Sequence, residues 1–266
     1  MKKKILFLLL LFIVINVAGH EFWIQPDKFI YKRTDAINVK FLVGENFKGE
    51  NWVGDKTDVK DLQLYFDDAV DRDLENNLGT DKGDSLQLAM IDDGTAMITV
   101  NTKDSLVNVD AKKFNESLEA NGLIEALSLR EKNGDTTNDV AEYSQFCTKT
   151  IFQVGERVTN VSGKKTNLPL DIIPEDHPYS VAKDENFRVQ IFFDGKELKN
   201  AAVKVFHKVD NSVTQEEYTT NQDGEIKFFL SPAGEWMVSC IKMVKIENDP
   251  KAQWRTYRGS LTWGYY

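Results

Sequence analysis

The chain has 266 residues, with 42 Asp and Glu against 33 Lys and Arg, and its formal net charge is −9 at pH 7. This length allows one or two domains, either of which could bury a real hydrophobic core. Hydrophobic residues make up 41% of the chain and charged residues 28%, which excludes a disordered or fibrous protein. No basic block follows Lys2, Lys3 and Lys4, so the acidic chain argues against nucleic acid as a partner.

The first 19 residues have the three parts of a signal peptide. The three lysines precede an apolar run at positions 5–15, which is shorter than the roughly 20 residues that cross a bilayer. Small residues, Val17 and Gly19, stand where a signal peptidase requires them. We therefore expect cleavage after Gly19 and a mature chain that begins with His20. This chain would be periplasmic or secreted, with no membrane span after cleavage.

Residues 20–109 are predicted to form an N-terminal antiparallel β domain. Alternating segments rich in β-branched and aromatic residues, at 36–43, 62–66 and 96–100, predict strands. Turn-forming clusters such as Asp92-Asp93-Gly94 separate them.

Residues 110–155 are predicted to form a helical insert that completes this domain. Good helix formers with spaced apolar residues occupy 110–131, where Asp110 is a candidate N-cap. The Asn121-Gly122 pair is expected to divide this segment into two helices. After a loop at 133–138, residues 139–147 are predicted to form a further helix.

Residues 156–266 are predicted to form a C-terminal β-sandwich. Short strands are expected at 187–193, 202–207, 225–230, 234–240 and 259–263, with an edge-like segment at 168–174. Asp-Gly pairs at 194–195 and 223–224 are hairpin signals. The predicted fold class is therefore mainly β: an antiparallel β domain with a helical insert, followed by a sandwich.

The two cysteines leave two interpretations open. In an oxidising compartment Cys147 and Cys240 could form a disulfide, whose long loop would stabilise the fold by up to about 4–5 kcal/mol. They could equally be two small buried residues that never meet. Their separation is unlike the spacing of metal-binding Cys pairs.

His20 is the sharpest chemical feature of the chain. A mature N-terminal histidine can bind a metal through its α-amine and a ring nitrogen together, a chelate that suits Cu(II) or Ni(II). The other histidines, His177 and His207, are candidate additional metal ligands, and Trp23 is a candidate wall of such a site. The alternative is that all three histidines are ordinary surface or loop residues.

No motif for catalysis is present. The sequence has no Gly-x-Ser-x-Gly elbow, no His-Glu-x-x-His motif and no glycine-rich phosphate loop. Three histidines also leave little general-base machinery. We therefore do not expect an enzyme.

Two resemblances extend this interpretation. Phe-Asp-Gly-Lys-Glu-Leu-Lys-Asn-Ala-Ala-Val at 193–203 and Thr-Asn-Gln-Asp-Gly-Glu-Ile-Lys-Phe at 220–228 resemble a transthyretin-like or immunoglobulin-like module. The entry His-Glu-Phe-Trp-Ile-Gln-Pro at 20–26 and Phe-Leu-Val-Gly-Glu-Asn-Phe-Lys-Gly-Glu at 41–50 resemble the NikM-like periplasmic proteins, also catalogued as a domain of unknown function. Residues 172–179 and 254–263 match later blocks of that pattern.

The resemblance implies a metal-binding accessory protein of nickel or cobalt uptake. Such a protein would capture the ion with His20 and pass it to a membrane cation transporter. Two alternatives remain: a periplasmic structural or interaction protein that uses the sandwich as a docking module, and a copper protein built on a histidine brace. The second would require another histidine to reach the metal held by His20.

Overall fold

The computed structural model describes residues 20–67, 70–79, 85–182 and 185–266. The predicted signal peptide, residues 1–19, lies outside this range. The described chain is mainly β, with two α-helices between two groups of strands, which confirms the predicted fold class. No helix in the described residues is long and apolar enough to cross a membrane.

The strands before the helices are β1 (Glu21–Pro26), β2 (Ile30–Tyr31), β3 (Ala36–Glu45), β4 (Lys48–Asn51), β5 (Val59–Phe66), β6 (Val70–Asp73), β7 (Ser85–Ala89), β8 (Gly94–Thr102) and β9 (Ser105–Val109). Two helices follow, α1 (Ala111–Ala120) and α2 (Ile124–Asn133). The later strands are β10 (Val140–Val154), β11 (Leu170–Pro174), β12 (Glu185–Phe193), β13 (Lys196–Glu197), β14 (Ala202–Val209), β15 (Ser212–Thr219), β16 (Glu225–Leu230), β17 (Glu235–Lys245) and β18 (Trp254–Gly264). In the described ranges, short 3-10 helices lie at Lys56–Asp58, Glu75–Asn77 and Asn160–Gly163.

Strand β10 lies between strands from the two halves of the chain, in one sheet of ten described strands. The order is β15-β14-β17-β18-β10-β8-β5-β6, and β2 and β9 also pair with β10. Most of these pairs are antiparallel, but β10 runs parallel to β18 and to β2. The hydrogen-bonded sheet therefore runs without interruption from strands of the predicted N-terminal domain to strands of the predicted C-terminal sandwich.

Two smaller sheets cover opposite faces of this large sheet. Neighbouring residues of a strand point to opposite faces. On β10, Phe146 belongs to the apolar cluster that includes Phe22 and Phe41 of the β1-β3-β4-β7 sheet. The next residue, Cys147, belongs to the cluster that includes Leu170 and Val189 of the β11-β12-β13-β16 sheet. The protein is thus a three-layer β structure around one central sheet.

The helical prediction is confirmed for α1 and α2 and wrong for residues 139–147. The Asp110 carboxylate accepts hydrogen bonds from the backbone N–H groups of Lys112 and Lys113, as expected for an N-cap. The break at Asn121-Gly122 is also present, because Gly122 adopts a positive φ of 64°. Residues 140–147, by contrast, form the first half of β10.

Strand pairing explains why residues 140–147 do not form the predicted helix. The first half of β10, Val140–Cys147, forms strand pairs with β9 on one side and β18 on the other. The last of these partners is more than a hundred residues away in the chain. Tertiary pairing overrides the local helix preference of such a segment.

Candidate functional site at His20

A cleft of about 860 Å³ opens beside His20, at one end of the N-terminal sheet. Its walls are the β3–β4 hairpin with the residues that follow it, and the turn between β8 and β9; β10 contributes Ser144 and Phe146. We call this space the His20 cleft. Its charged lining residues are Glu45, Lys48, Glu50, Asp58, Lys103 and Asp104, and its larger apolar ones are Val43, Trp52, Val53, Val107 and Phe146.

The β3–β4 hairpin has a two-residue turn in which one residue, Phe47, is uncommon for its backbone conformation. Glu45 and Lys48 are paired across the turn, and both turn residues, Asn46 and Phe47, have positive φ values of 51° and 56°. This is the backbone of a type I′ turn, which asparagine tolerates well and phenylalanine poorly. The backbone strain at Phe47 is offset by burial, because the residue is only 2% exposed and its ring centre lies 5.6 Å from that of Trp23.

Trp23 supports the hairpin from inside and does not line the cleft. Its side chain is 1% exposed, and it belongs to a cluster with Phe47, Phe206 and Met237. Gly49 makes this packing possible, because a Cβ at that position would lie 2.4 Å from the Trp23 ring. The sequence prediction placed Trp23 in the wall of the site; the structure places it in the core beneath one wall.

The imidazole of His20 lies at the edge of the cleft and is 23% exposed. Its Nε2 lies 3.2 Å from Oε1 of Glu45. Its Nδ1 is buried and has no hydrogen-bond partner among the described residues. When the ring proton is on Nε2, facing Glu45, the lone pair of Nδ1 remains available to a ligand.

His177 is held far more tightly and in another place. Its Nε2 lies 2.9 Å from the carbonyl oxygen of Thr159 and 3.1 Å from Oγ1 of Thr95, while its Nδ1 accepts a hydrogen bond from the Tyr179 N–H. Burial lowers the pKa of His177, so the neutral ring is favoured. Both ring nitrogens already have partners, and the residue does not line the His20 cleft.

His207 is also engaged elsewhere. Its Nε2 lies 2.9 Å from the carbonyl oxygen of Ala233, and its ring stacks on that of Trp236 at 3.9 Å. It lies on β14 and is absent from the lining of the cleft. The structure therefore does not bring His177 or His207 to the cleft beside His20. Within the described ranges, no group of three or more His, Cys, Asp or Glu side chains is placed to hold a metal ion.

Cys147 and Cys240 are both buried free thiols. Each is paired in register with Gly259, from opposite sides of β18. Two strand spacings, about 9.5 Å, therefore separate their backbones, whereas a disulfide needs Cα atoms within about 7 Å. Of the two interpretations left open by the sequence, the structure supports the pair of small buried residues. Burial raises the pKa of both thiols to about 12.

A cluster of buried polar side chains adjoins the cleft, on one face of β10 and β18. Arg258 lies 3.8 Å from Glu142, and the Thr256 hydroxyl donates a hydrogen bond to the other oxygen of that carboxylate. Ser144, two residues from Glu142, is 4% exposed, and its hydroxyl has no partner among the described residues. Ser144 is the one member of this cluster that also lines the cleft.

Sequence reasoning found His20 but missed Glu45 and Ser144. A signal for Glu45 was present, because Gly-Glu-Asn-Phe-Lys-Gly at 44–49 follows an alternating strand and contains a short turn. Ser144 carried no such signal, since it was assigned to a helix. Its place in the cleft depends on the pairing of β10 with β9 and β18.

The model of the family described as "Domain of unknown function (DUF4198)" matches residues 17–243. The chain belongs to this family. No curated protein matches the chain.

Solved structures match over most of the chain but only loosely. The D0-D1 domain of intimin is 11% identical, covering 91% of this chain and 97% of its own, with a TM-score of 0.20. The three N-terminal domains of the bacteriophage RB49 outer capsid protein Hoc are 12% identical over 91% and 59%, with a TM-score of 0.19. A DUF4785 family protein from Legionella pneumophila is 10% identical over 82% and 52%, with a TM-score of 0.23. At these TM-scores, the matches support no conclusion about fold or function.

Proposed function

We propose that the mature chain is a periplasmic metal-binding accessory protein of divalent-cation uptake, with nickel or cobalt as its cargo. It captures the ion at His20 and passes it to a membrane cation transporter. The main support for this proposal is that Nδ1 of His20 is buried, has no hydrogen-bond partner among the described residues and belongs to a residue that lines a cleft. The resemblance of residues 20–26 and 41–50 to the NikM-like proteins supports the same cargo.

The donor chemistry at His20 fits a cation. After cleavage at Gly19, the α-amine and Nδ1 of His20 could close a six-membered chelate ring on one ion, a donor pair suited to Ni(II), Co(II) and Cu(II). Glu45 serves as the partner of the opposite ring nitrogen. A carboxylate in that role fixes the tautomer and makes the ligating nitrogen more basic.

The same donor set suits capture followed by release. Two nitrogen donors from one residue leave other coordination positions to water or to a group supplied by a partner. A transporter could then take the ion without unfolding the site. The net acidic charge of the chain would raise the local cation concentration.

The test begins with the intact mass of the exported protein, which shows whether the mature chain starts at His20. That protein is then titrated by calorimetry with Ni(II), Co(II) and Cu(II). The matched control carries a four-residue Gly-Ser-Gly-Ser extension, which moves the α-amine away from the imidazole and leaves every other side chain in place. The proposal requires binding that is lost in the extended form and in His20→Ala. Equal binding by the extended form, or no binding by the mature protein, would overturn it.

A further inference from the structure

The His20 cleft has features that a bare ion does not need. We propose that the cleft takes its cation as a complex with a small organic chelator that carries carboxylate groups. His20 binds the metal, and the rest of the cleft binds the chelator. This inference rests on the proposed function, because it names the form in which that cargo arrives.

The His20 cleft is larger than a hydrated ion requires. A water molecule takes up about 30 Å³ of liquid volume, so an ion with one shell of water needs on the order of 200 Å³. The cleft has about 860 Å³. Small-molecule sites have volumes of about 300–1,000 Å³. The cleft thus has room for an organic ligand around the ion.

Part of the cleft wall is aromatic. Trp52 and Phe146 line the cleft, and both rings pack on Phe22, at 5.4 Å and 4.4 Å between ring centres. A fixed aromatic surface of this kind adds nothing to the binding of a hydrated ion, but it packs against the carbon atoms of an organic ligand. This surface is anchored in the core and is therefore preformed.

Two positively charged side chains also line the site that is proposed to bind a cation. Lys48 and Lys103 both line the cleft, and neither forms an ion pair with a described residue. Of the four lining carboxylates, Glu45 and Asp104 are paired with His20 and Arg255. The two ammonium groups therefore balance the charges of Glu50 and Asp58, and this part of the cleft offers a free divalent ion no net charge attraction. The ammonium groups would attract the carboxylates of a chelator that surrounds the ion.

The Ser144 hydroxyl is a hydrogen-bond donor available to a chelator. It is buried in the cleft wall without a hydrogen-bond partner among the described residues, and such a group is costly to the folded protein. A carboxylate oxygen of the ligand would accept a hydrogen bond from the hydroxyl and remove that cost. Nδ1 of His20 would then bind the metal and Oγ of Ser144 a chelator carboxylate of the same complex.

Calorimetry with Ni(II) alone and with the one-to-one Ni(II)–citrate complex tests this inference on the mature protein. Citrate holds the metal through carboxylates and leaves coordination positions open for His20. If His20 alone forms the site, citrate competes for the ion and weakens its binding. If the cleft binds the complex, Ni(II)–citrate binds more tightly than Ni(II) in the same buffer.

Ser144→Ala separates the chelator from the metal. The substitution removes an unsatisfied buried hydroxyl, so the variant should fold at least as well as the native chain. It should weaken Ni(II)–citrate binding by roughly 10-fold and leave Ni(II) binding unchanged. Lys103→Gln should likewise weaken Ni(II)–citrate binding, whereas free Ni(II) should bind no less tightly because a positive charge is removed from the cleft. Ser239→Ala, a buried serine that lines a different cavity, is the matched control and should change neither affinity.

The outcomes distinguish this inference from the function on which it rests. Competition by citrate, with intact Ni(II) binding, would overturn the chelate and leave metal capture standing. An unchanged affinity of Ser144→Ala and Lys103→Gln for Ni(II)–citrate would also overturn the chelate. Failure of both Ni(II) and Ni(II)–citrate to bind would overturn metal capture itself.

Discussion

His20 lies directly opposite Glu45, with Nε2 of the imidazole 3.2 Å from Oε1 of the carboxylate. The antiparallel register of β1 and β3 explains this contact, because Glu21 is paired with Gly44 and the next pair in line is His20 with Glu45. The residue expected at the mature N-terminus is thereby fixed at one end of a core strand. A metal ligand at this position would be oriented by the sheet.

The first prediction concerns Glu45. Replacing it with alanine removes the carboxylate that lies 3.2 Å from Nε2 of His20 and orients the ring, so Nδ1 is no longer held in place for the ion. We expect Glu45→Ala to weaken Ni(II) binding by about 10- to 100-fold, the usual effect of removing such a partner. Glu50→Ala is the control, since Glu50 also lines the cleft and carries the same charge. Equal losses in the two variants, measured by calorimetry, would show that only the charge of the cleft matters.

The strand β3 and the helix α1 could be predicted from local signals. Residues 36–41 alternate in burial as they alternate in polarity, and Asp110 caps α1 as its position before a helical segment indicates. These elements follow from periods and caps that a short window of sequence contains.

The contact between His20 and Glu45 and the place of Ser144 could not be predicted in this way. Both depend on which strands pair and in which register, and the partners are far apart in the chain. The same is true of Cys147 and Cys240, whose distance is set by the strand between them. The sequence indicated His20, and strand pairing decided which other residues lie near it.

The second prediction concerns these two thiols. Because both are buried and their pKa values are raised to about 12, they should be nearly inert in the native protein. Iodoacetamide at pH 8 without reductant should leave the native mass unchanged. After unfolding in guanidinium, again without reductant, the mass should rise by two additions. No addition after unfolding would mean that Cys147 and Cys240 are bonded.

The third prediction concerns the ion pair between Lys149 and Asp171, which joins the central sheet to the β11-β12-β13-β16 sheet. The two side chains are 0% and 5% exposed. Asp171→Asn would leave the Lys149 ammonium buried without its counter-charge. We expect a loss of about 3–5 kcal/mol in the free energy of unfolding, because an uncompensated buried charge is costly.

Urea unfolding of matched variants checks this value. Glu116→Gln breaks the exposed pair of Lys112 and Glu116 and should cost less than about 0.5 kcal/mol. The double replacement of Lys149 by Met and Asp171 by Leu removes both charges and should recover most of the loss. If Asp171→Asn is no more destabilising than Glu116→Gln, the buried pair does not hold the two sheets together.

The fourth prediction concerns the pH dependence of stability at His177. Its ring donates to the Thr159 carbonyl and accepts from the Tyr179 N–H, so only the neutral form satisfies both bonds. Burial lowers the pKa of His177 below the ordinary value of about 6.5, whereas in the unfolded chain the ring takes up a proton near that value. Below about pH 6.5 the unfolded state therefore binds more protons, and stability falls as the solution is acidified.

His177→Gln removes this titration, so the decline in the urea midpoint between pH 7.5 and pH 5 should be shallower in the variant than in the native protein. NMR titration of the ring protons measures the cause directly. The His177 signal should titrate below pH 6.5. A His177 signal that titrates at or above 6.5 would mean that the ring carries a charge in the folded protein, and its hydrogen bond with Tyr179 would then have to break.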